Sequence, residues 1–253
     1  MHNVVNLTNK RIIVTGASSG IGMETAILCS KLGAKLILIS RNNNKLEHVI
    51  SLLEGNGHTY YPFDLNNLDD IEALIKKIVS DVGEIDGFVH SAGIGSTRPI
   101  KSLKPQFLSE VMSINYFSFI ELIRCITKKN HFSEGLSIVG VSSISSQQGN
   151  KAKTAYCASK AAMDASVRCL AKELSEKKIR VNTVNPALIK TDIYQQFLNN
   201  SGDSDDAKAI LARQYLGLGE PLDVANMIAF LLSNAAKFIT GSSVNIDGGR
   251  LSS

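Results

Sequence analysis

Short apolar runs rich in β-branched residues alternate with longer segments of helical periodicity along the whole 253-residue chain, and this alternation limits the folds open to it. Strand-like runs fall at 11–15, 35–39, 59–63, 87–90, 136–141, 179–184 and 243–246. Helical patterns fall at 21–32, 44–53, 68–82, 105–129, 154–175 and 221–233. A parallel strand pair needs a crossover, usually a helix, and a parallel sheet is covered on both faces. The expected architecture is α/β: one doubly wound domain, 1–253, with a seven-stranded parallel sheet between two helical layers. No Pro/Gly/Ser-rich linker and no internal repeat divides it. The one long polar interruption, 199–206, adjoins an apolar helical stretch at 207–218, and the segment from about 190 to 219 reads as a substrate lid.

Composition narrows the function. Hydrophobic content of 44% with 20% charged residues excludes a disordered or fibrous chain. No apolar run approaches the roughly 18 residues that span a bilayer, so no membrane partner is expected. The polar first ten residues lack an apolar signal core, which leads us to expect a cytoplasmic protein. The net charge of +4 comes from scattered residues and not from a basic stretch interleaved with aromatics, so nucleic acid is not an expected partner. Cys29, Cys125, Cys157 and Cys169 form no C-x-x-C pair and have no histidine at zinc spacing. We read them as reduced residues and expect no metal site.

The first strand runs into Thr15-Gly16-Ala17-Ser18-Ser19-Gly20-Ile21-Gly22, and a helix opens there. Gly16 suits a tight turn, Gly20 a close approach of backbone to phosphate, and Gly22 close packing of helix on strand. The helix start offers free N–H groups and a positive dipole end to a pyrophosphate. Ser18, Ser19 and Ile21 belong to the same cradle. At the end of the second strand an acid would favour NAD, whereas an arginine suits the 2′-phosphate of NADP. The chain has Ser40-Arg41 there and no acid before Glu47, which points to NADP(H). Asp64-Leu65 after the third strand and Ser91-Ala92-Gly93 after the fourth should line the same crevice.

Tyr156 and Lys160 lie four residues apart near the start of a helix, so phenol and ammonium share a face. A free phenol, with a pKa of about 10, holds its proton too tightly for chemistry near neutrality. A neighbouring cation favours the phenolate and makes the tyrosine a workable acid for a carbonyl or base for an alcohol. Ser143, thirteen residues upstream, could orient a substrate oxygen. It shares its run with Ser142, Ser145 and Ser146, and spacing alone does not choose among the four. Asn115 is a polar residue within an apolar helical pattern, consistent with a buried hydrogen-bonding role.

Taken together, these residues resemble the short, single-domain branch of the short-chain dehydrogenase/reductases over nearly the whole chain. The matching features are T-G-x-x-x-G-I-G at 15–22, Asp64, Ala92-Gly93, Asn115, Ser143, Y-x-x-x-K at 156–160, Asn185-Pro186, Thr191 and Asp247-Gly248-Gly249. The resemblance implies a Rossmann fold and a catalytic tetrad of Asn115, Ser143, Tyr156 and Lys160. Tyr156 would be the acid/base, Ser143 the holder of the substrate oxygen, and Ser142 the fallback for that role. Lys160 would lower the tyrosine pKa and bind the nicotinamide ribose, and Asn115 would order a proton-relaying water. Pro186, Ala187, Ile189 and Thr191 would face the cofactor. Three features depart from the family pattern: N-N-A-G reads His90-Ser91-Ala92-Gly93, with His90 taken as a satisfied core residue, P-G reads Pro186-Ala187, and the segment 190–219 has no family signature beyond Thr191.

The expected activity is NADP(H)-dependent hydride transfer between the nicotinamide and a ketone or secondary alcohol, in the direction of carbonyl reduction. Tyr194, Phe197, Leu198 and Leu211 would give the lid apolar walls. A sharper alternative is reduction of 3-oxoacyl thioesters on an acyl carrier protein, for which Lys128-Lys129 and Lys177-Lys178 are candidate contacts. Reduction of a sugar or another polar ketone is a comparable rival. A non-catalytic NADP-binding protein is the remote alternative. The resemblance also implies a homotetramer or dimer built through the two long helices.

Overall fold

In β1 (Arg11–Thr15) the side chains alternate between two apolar layers, Ile12 and Val14 entering one and Ile13 the other, all fully buried. This double burial places β1 inside the sheet. The computed structural model of the protein describes residues 4–192, 194–195 and 212–252. Seven parallel strands join in the order β3-β2-β1-β4-β5-β6-β7. The others are β2 (Lys35–Ser40), β3 (Thr59–Pro62), β4 (Ile85–His90), β5 (Phe132–Val141), β6 (Arg180–Pro186) and β7 (Ser243–Ile246). The doubly wound Rossmann-type expectation holds.

One helical layer contains α1 (Gly20–Lys31), α2 (Asn43–Ser51) and α7 (Pro221–Leu232), which contribute Ala26, Cys29, Leu46, Val49, Val224 and Ile228 to its core. The other contains α3 (Ile71–Val82), α5 (Ser118–Ile126) and α6 (Thr154–Glu173), with Ile75, Ile78, Phe119, Leu122, Met163 and Val167. The C-terminal end of α7 is held by cations: Arg180 donates to the carbonyls of Leu231 and Ser233, and Lys10 to that of Leu232. These bonds satisfy carbonyls that have no partner within the helix and complement its dipole.

The element boundaries shift in ways that have physical causes. The helix expected at 105–129 is divided into α4 (Pro105–Met112), a π-helical turn (Ser113–Phe117) and α5. β5 begins four residues before the expected 136, and its pairing with β4 slips in register between Ile85 and Gly87. The lid residues Phe197, Leu198 and Leu211 and the stretch 199–206 lie outside the described residues. Strand order reverses between β1 and β4, and the C-terminal ends of these strands open the crevice in which doubly wound sheets bind ligands.

Candidate active site

The glycine-rich turn leaves β1 and enters α1 with Gly16 at φ +64°, a left-handed conformation that glycine adopts freely. A Cβ at Gly16 would stand 2.7 Å from the Ala92 backbone nitrogen, so the turn packs directly on the loop after β4. A Cβ at Gly22 would collide with the Gly16 carbonyl, and one at Gly20 would come within 3.2 Å of Thr191 Cγ2. The glycines therefore keep open a cradle bounded by Ser18, Ser19 and Ile21 on one side and Thr191 on the other. Its backbone donors and free space fit the pyrophosphate of a dinucleotide.

Ser40 donates to Ser18 Oγ at 2.8 Å, joining the end of β2 to the cradle. Arg41 follows on the surface, exposed and in no ion pair among the described residues, so its guanidinium is available to an anion beside Ser18. Asp64 takes the N–H of Asn66 at 3.0 Å in a tight turn after β3, and Leu65 is buried beneath it. On the other side of the crevice Ala92 N–H donates to Thr15 Oγ1, and Gly93 lies against Asn115 and Lys160.

Asn115 sits in the π turn, fully buried. Its Oδ1 accepts from Ile94 N–H at 2.8 Å, and its Nδ2 donates to the Ile94 carbonyl at 3.1 Å and to Ser159 Oγ at 3.0 Å. The side chain thus fixes the loop after β4 to α6. Asn115 makes this exchange from within the π turn, and such turns occur often at functional positions.

Tyr156 and Lys160 project from successive turns of α6, with Lys160 Nζ 5.8 Å from the centre of the tyrosine ring. Lys160 donates to the Val141 carbonyl at 2.7 Å. Burial pushes its ammonium pKa down to about 8, opposed by Asp164. Burial pushes the Tyr156 phenol above its ordinary value, a hydrogen bond from Ser143 works against that rise, and Cys157 adds to it. Ser143 and Ser142 separate clearly. The Ser142 hydroxyl donates to the Lys160 main-chain carbonyl at 3.2 Å and is committed to packing β5 on α6, whereas the Ser143 hydroxyl acts on the proton affinity of the phenol. Ser143 Oγ also accepts from Ser145 N–H at 3.1 Å, which fixes its rotamer at the end of β5.

Asp164 and Ser159 escaped the sequence reading. Asp164, one turn beyond Lys160, accepts from Ser146 Oγ at 2.5 Å, Thr183 Oγ1 at 2.8 Å and Asn185 Nδ2 at 2.9 Å. The same i, i+4 spacing that relates Tyr156 to Lys160 relates Lys160 to Asp164, and extending it was the available signal. His90 is buried and neutral, its pKa pushed to about 3 by burial, with Lys160 adding to the shift and the Ile114 backbone opposing it. Its Nδ1 pairs with Thr15 Oγ1 at 3.1 Å, but Nε2 has no partner of good geometry among the described residues, so this core histidine is only half satisfied.

After β6, Ala187 N–H bonds the Ile246 carbonyl and Ile189 is buried. The described residues on either side of 196–211 meet here. Ile189 pairs with Gly219, and Gln214 accepts from Leu188 N–H and donates to the Leu188 carbonyl, both at 3.1 Å. Of Pro186, Ala187, Ile189 and Thr191, Thr191 comes up against the glycine cradle at Gly20. The lysines considered for a carrier protein lie elsewhere. Lys128-Lys129 and Lys177-Lys178 precede β5 and β6, at the opposite end of the sheet from the crevice. Lys128 is paired with Glu72 at 2.7 Å, and Lys178 with Glu134. Among the described residues no helix is long and apolar enough to cross a membrane, and no cluster of His, Cys, Asp or Glu could hold a metal.

A nucleotide crevice joined to a Ser-Tyr-Lys constellation defines a dinucleotide-dependent oxidoreductase, and comparison with known proteins agrees. The family model described as enoyl-(acyl carrier protein) reductase matches residues 16–250. The L-xylulose reductase of Caenorhabditis elegans is 35% identical over 96% of both chains. The 3-oxoacyl-[acyl-carrier-protein] reductase FabG of Rickettsia conorii is 33% identical over 98% of this chain and 99% of its own. A variant of the actinorhodin polyketide ketoreductase, solved with NADPH, superposes with a TM-score of 0.88 at 25% identity, covering 96% of this chain and 97% of its own. The chain belongs to the short-chain dehydrogenase/reductase family and is an oxidoreductase.

Proposed function

We propose that the chain is an NADP(H)-dependent carbonyl reductase, with Tyr156 as general acid, Ser143 and Lys160 as its partners and Asn115 as the residue that holds the site together. The observation that carries this is the pairing of Tyr156 with Lys160 on α6, Nζ 5.8 Å from the ring, with Ser143 at the end of β5 acting on the same phenol, beside a cradle that fits a dinucleotide. A nicotinamide cofactor bound in the crevice supplies the hydride. Ser143 orients the carbonyl oxygen, and Tyr156 gives it a proton as negative charge develops. Lys160, a buried cation below about pH 8, stabilises the phenolate left behind. Gly16, Gly20, Gly22 and Thr191 would hold the pyrophosphate, Ser40 and Arg41 the 2′-phosphate, Asp64 and Leu65 the adenine side, and Ala92, Gly93, Pro186, Ala187 and Ile189 the nicotinamide half.

NADP(H) is supported by the exposed Arg41, which follows the Ser40 that bonds Ser18, and by the NADPH in the polyketide ketoreductase neighbour. The substrate is a ketone; by name, the Caenorhabditis elegans relative is a reductase of L-xylulose and the Rickettsia conorii relative one of a 3-oxoacyl-[acyl-carrier-protein]. The second of these is the less favoured reading here, because the lysines considered for that partner lie far from the crevice. A binding protein without turnover would have no use for Ser143, Tyr156 and Lys160 together. Titration with NADPH and NADH, followed by nicotinamide fluorescence and a ketone panel, tests the reading. NADPH should bind more tightly, with the preference falling about tenfold in Arg41→Ala. Equal binding of both would remove the cofactor assignment, and no binding would remove the enzyme reading.

A further inference from the structure

The substrate side of the crevice has a one-sided charge that hydride transfer does not by itself require. Two loops form this side, 91–104 after β4 and 142–153 after β5. They are tied together where Arg98 N–H donates to the Ala152 carbonyl at 2.7 Å. Between them they carry Arg98, Lys101, Lys104, Lys151 and Lys153, and neither 87–109 nor 135–163 contains an aspartate or glutamate. None of the five cations makes an ion pair among the described residues, although Arg98 stacks on the Phe107 ring at 4.4 Å. The third loop at this end carries Lys190, paired with Glu220 at 3.5 Å, and the exposed Asp192.

Lys153 differs from the other four. They are exposed, whereas Lys153 is half-buried. It immediately precedes α6, so residues 153, 156 and 160 follow one another at i, i+3 and i+7 along one face of the helix. Cys157 lies one turn on, close enough to act on its charge, and burial lowers the Lys153 pKa. On the same loop the Gln148 side-chain nitrogen is buried without a hydrogen-bond partner among the described residues. A half-buried ammonium with no counter-charge costs free energy until an anion joins it.

We infer that the site selects ketones that carry a carboxylate or a phosphate a few bonds from the carbonyl, with Lys153 holding the anionic group and Arg98 and Lys151 raising its local concentration at the mouth. The inference rests on the carbonyl-reductase reading. The carbonyl carbon gains a hydride, the oxygen gains a proton, and the anionic group passes through unchanged.

The test measures kcat/KM with NADPH for two matched pairs, acetoacetate against its methyl ester and dihydroxyacetone phosphate against dihydroxyacetone. In at least one pair the anionic member should be favoured, and roughly tenfold more salt should shrink that preference. The anionic-to-neutral ratio should fall about tenfold or more in Lys153→Met, recover in Lys153→Arg, and stay unchanged in Lys177→Met at the far end of the sheet. Equal or better turnover of the neutral members in both pairs, or a preference that Lys153→Met leaves intact, overturns the inference. No reduction of any member with either NADPH or NADH overturns the reductase reading on which it stands.

Discussion

Tyr156, Lys160 and Asp164 form a graded series along α6: a phenol raised by burial, an ammonium lowered to about 8, and a carboxylate bound by three donors. Carbonyl reduction needs the phenol protonated and the ammonium charged. Lys160 is charged below about 8 and loses its proton as pH rises through that value, so kcat/KM for reduction should fall on the alkaline side around pH 8. A pH–rate profile with no alkaline fall would separate Lys160 from the chemistry. Tyr156→Phe should lower kcat by about 10²-fold or more with its circular dichroism and NADPH affinity kept. His90 makes a stability prediction. Its pKa in the folded protein, about 3, lies below the ordinary 6.5, so its contribution is complete above pH 6.5 and is lost as pH falls toward 3. Urea midpoints at pH 5 and 7.5 should therefore differ more for the parent than for His90→Asn. The Tyr-Lys pair was readable because one helix carries both groups. The choice of Ser143 over Ser142 depended on where β5 ends against α6, and Asp164 on partners contributed by β6 and the loop after β5.

The strands were readable as short continuous apolar runs, the form taken by strands buried on both faces, and the helices by their period of 3.6. The π turn was hidden, since 105–129 keeps a helical apolar pattern through it and the partner of Asn115, Ile94, lies on a loop far away in sequence. The glycine-rich turn is the element where sequence and geometry agree most closely. Gly16→Ala would place a Cβ 2.7 Å from the Ala92 nitrogen at a φ of +64°, disturbing β1 and the loop after β4 together. We expect a loss of roughly 1–3 kcal/mol in stability, read by chemical denaturation, together with weaker NADPH binding. Undiminished stability and binding would show that the turn tolerates a side chain.

α4 and the π turn that follows it leave Leu108, 38% exposed, and Phe117, 42% exposed, on the surface. We propose that this face meets a second copy of the chain, as the family resemblance implies. Phe117→Glu should then lower the mass seen by light scattering, and a parent that is already monomeric would dismiss the idea. Substrate choice was the least readable property, because it depends on side chains that loops bring together and not on periodicity. The stitched junction after β6 bears on how the chain beside it can change. The chain departs at Thr191 and returns at Gln214, two points already clamped to one another through Leu188, Ile189 and Gly219. Doubling the number of residues between them would add only about 0.6 kcal/mol of closure entropy. The chain between them can therefore change in length or sequence at little cost to the two clamped points, and the sheet they are joined to is left as it is.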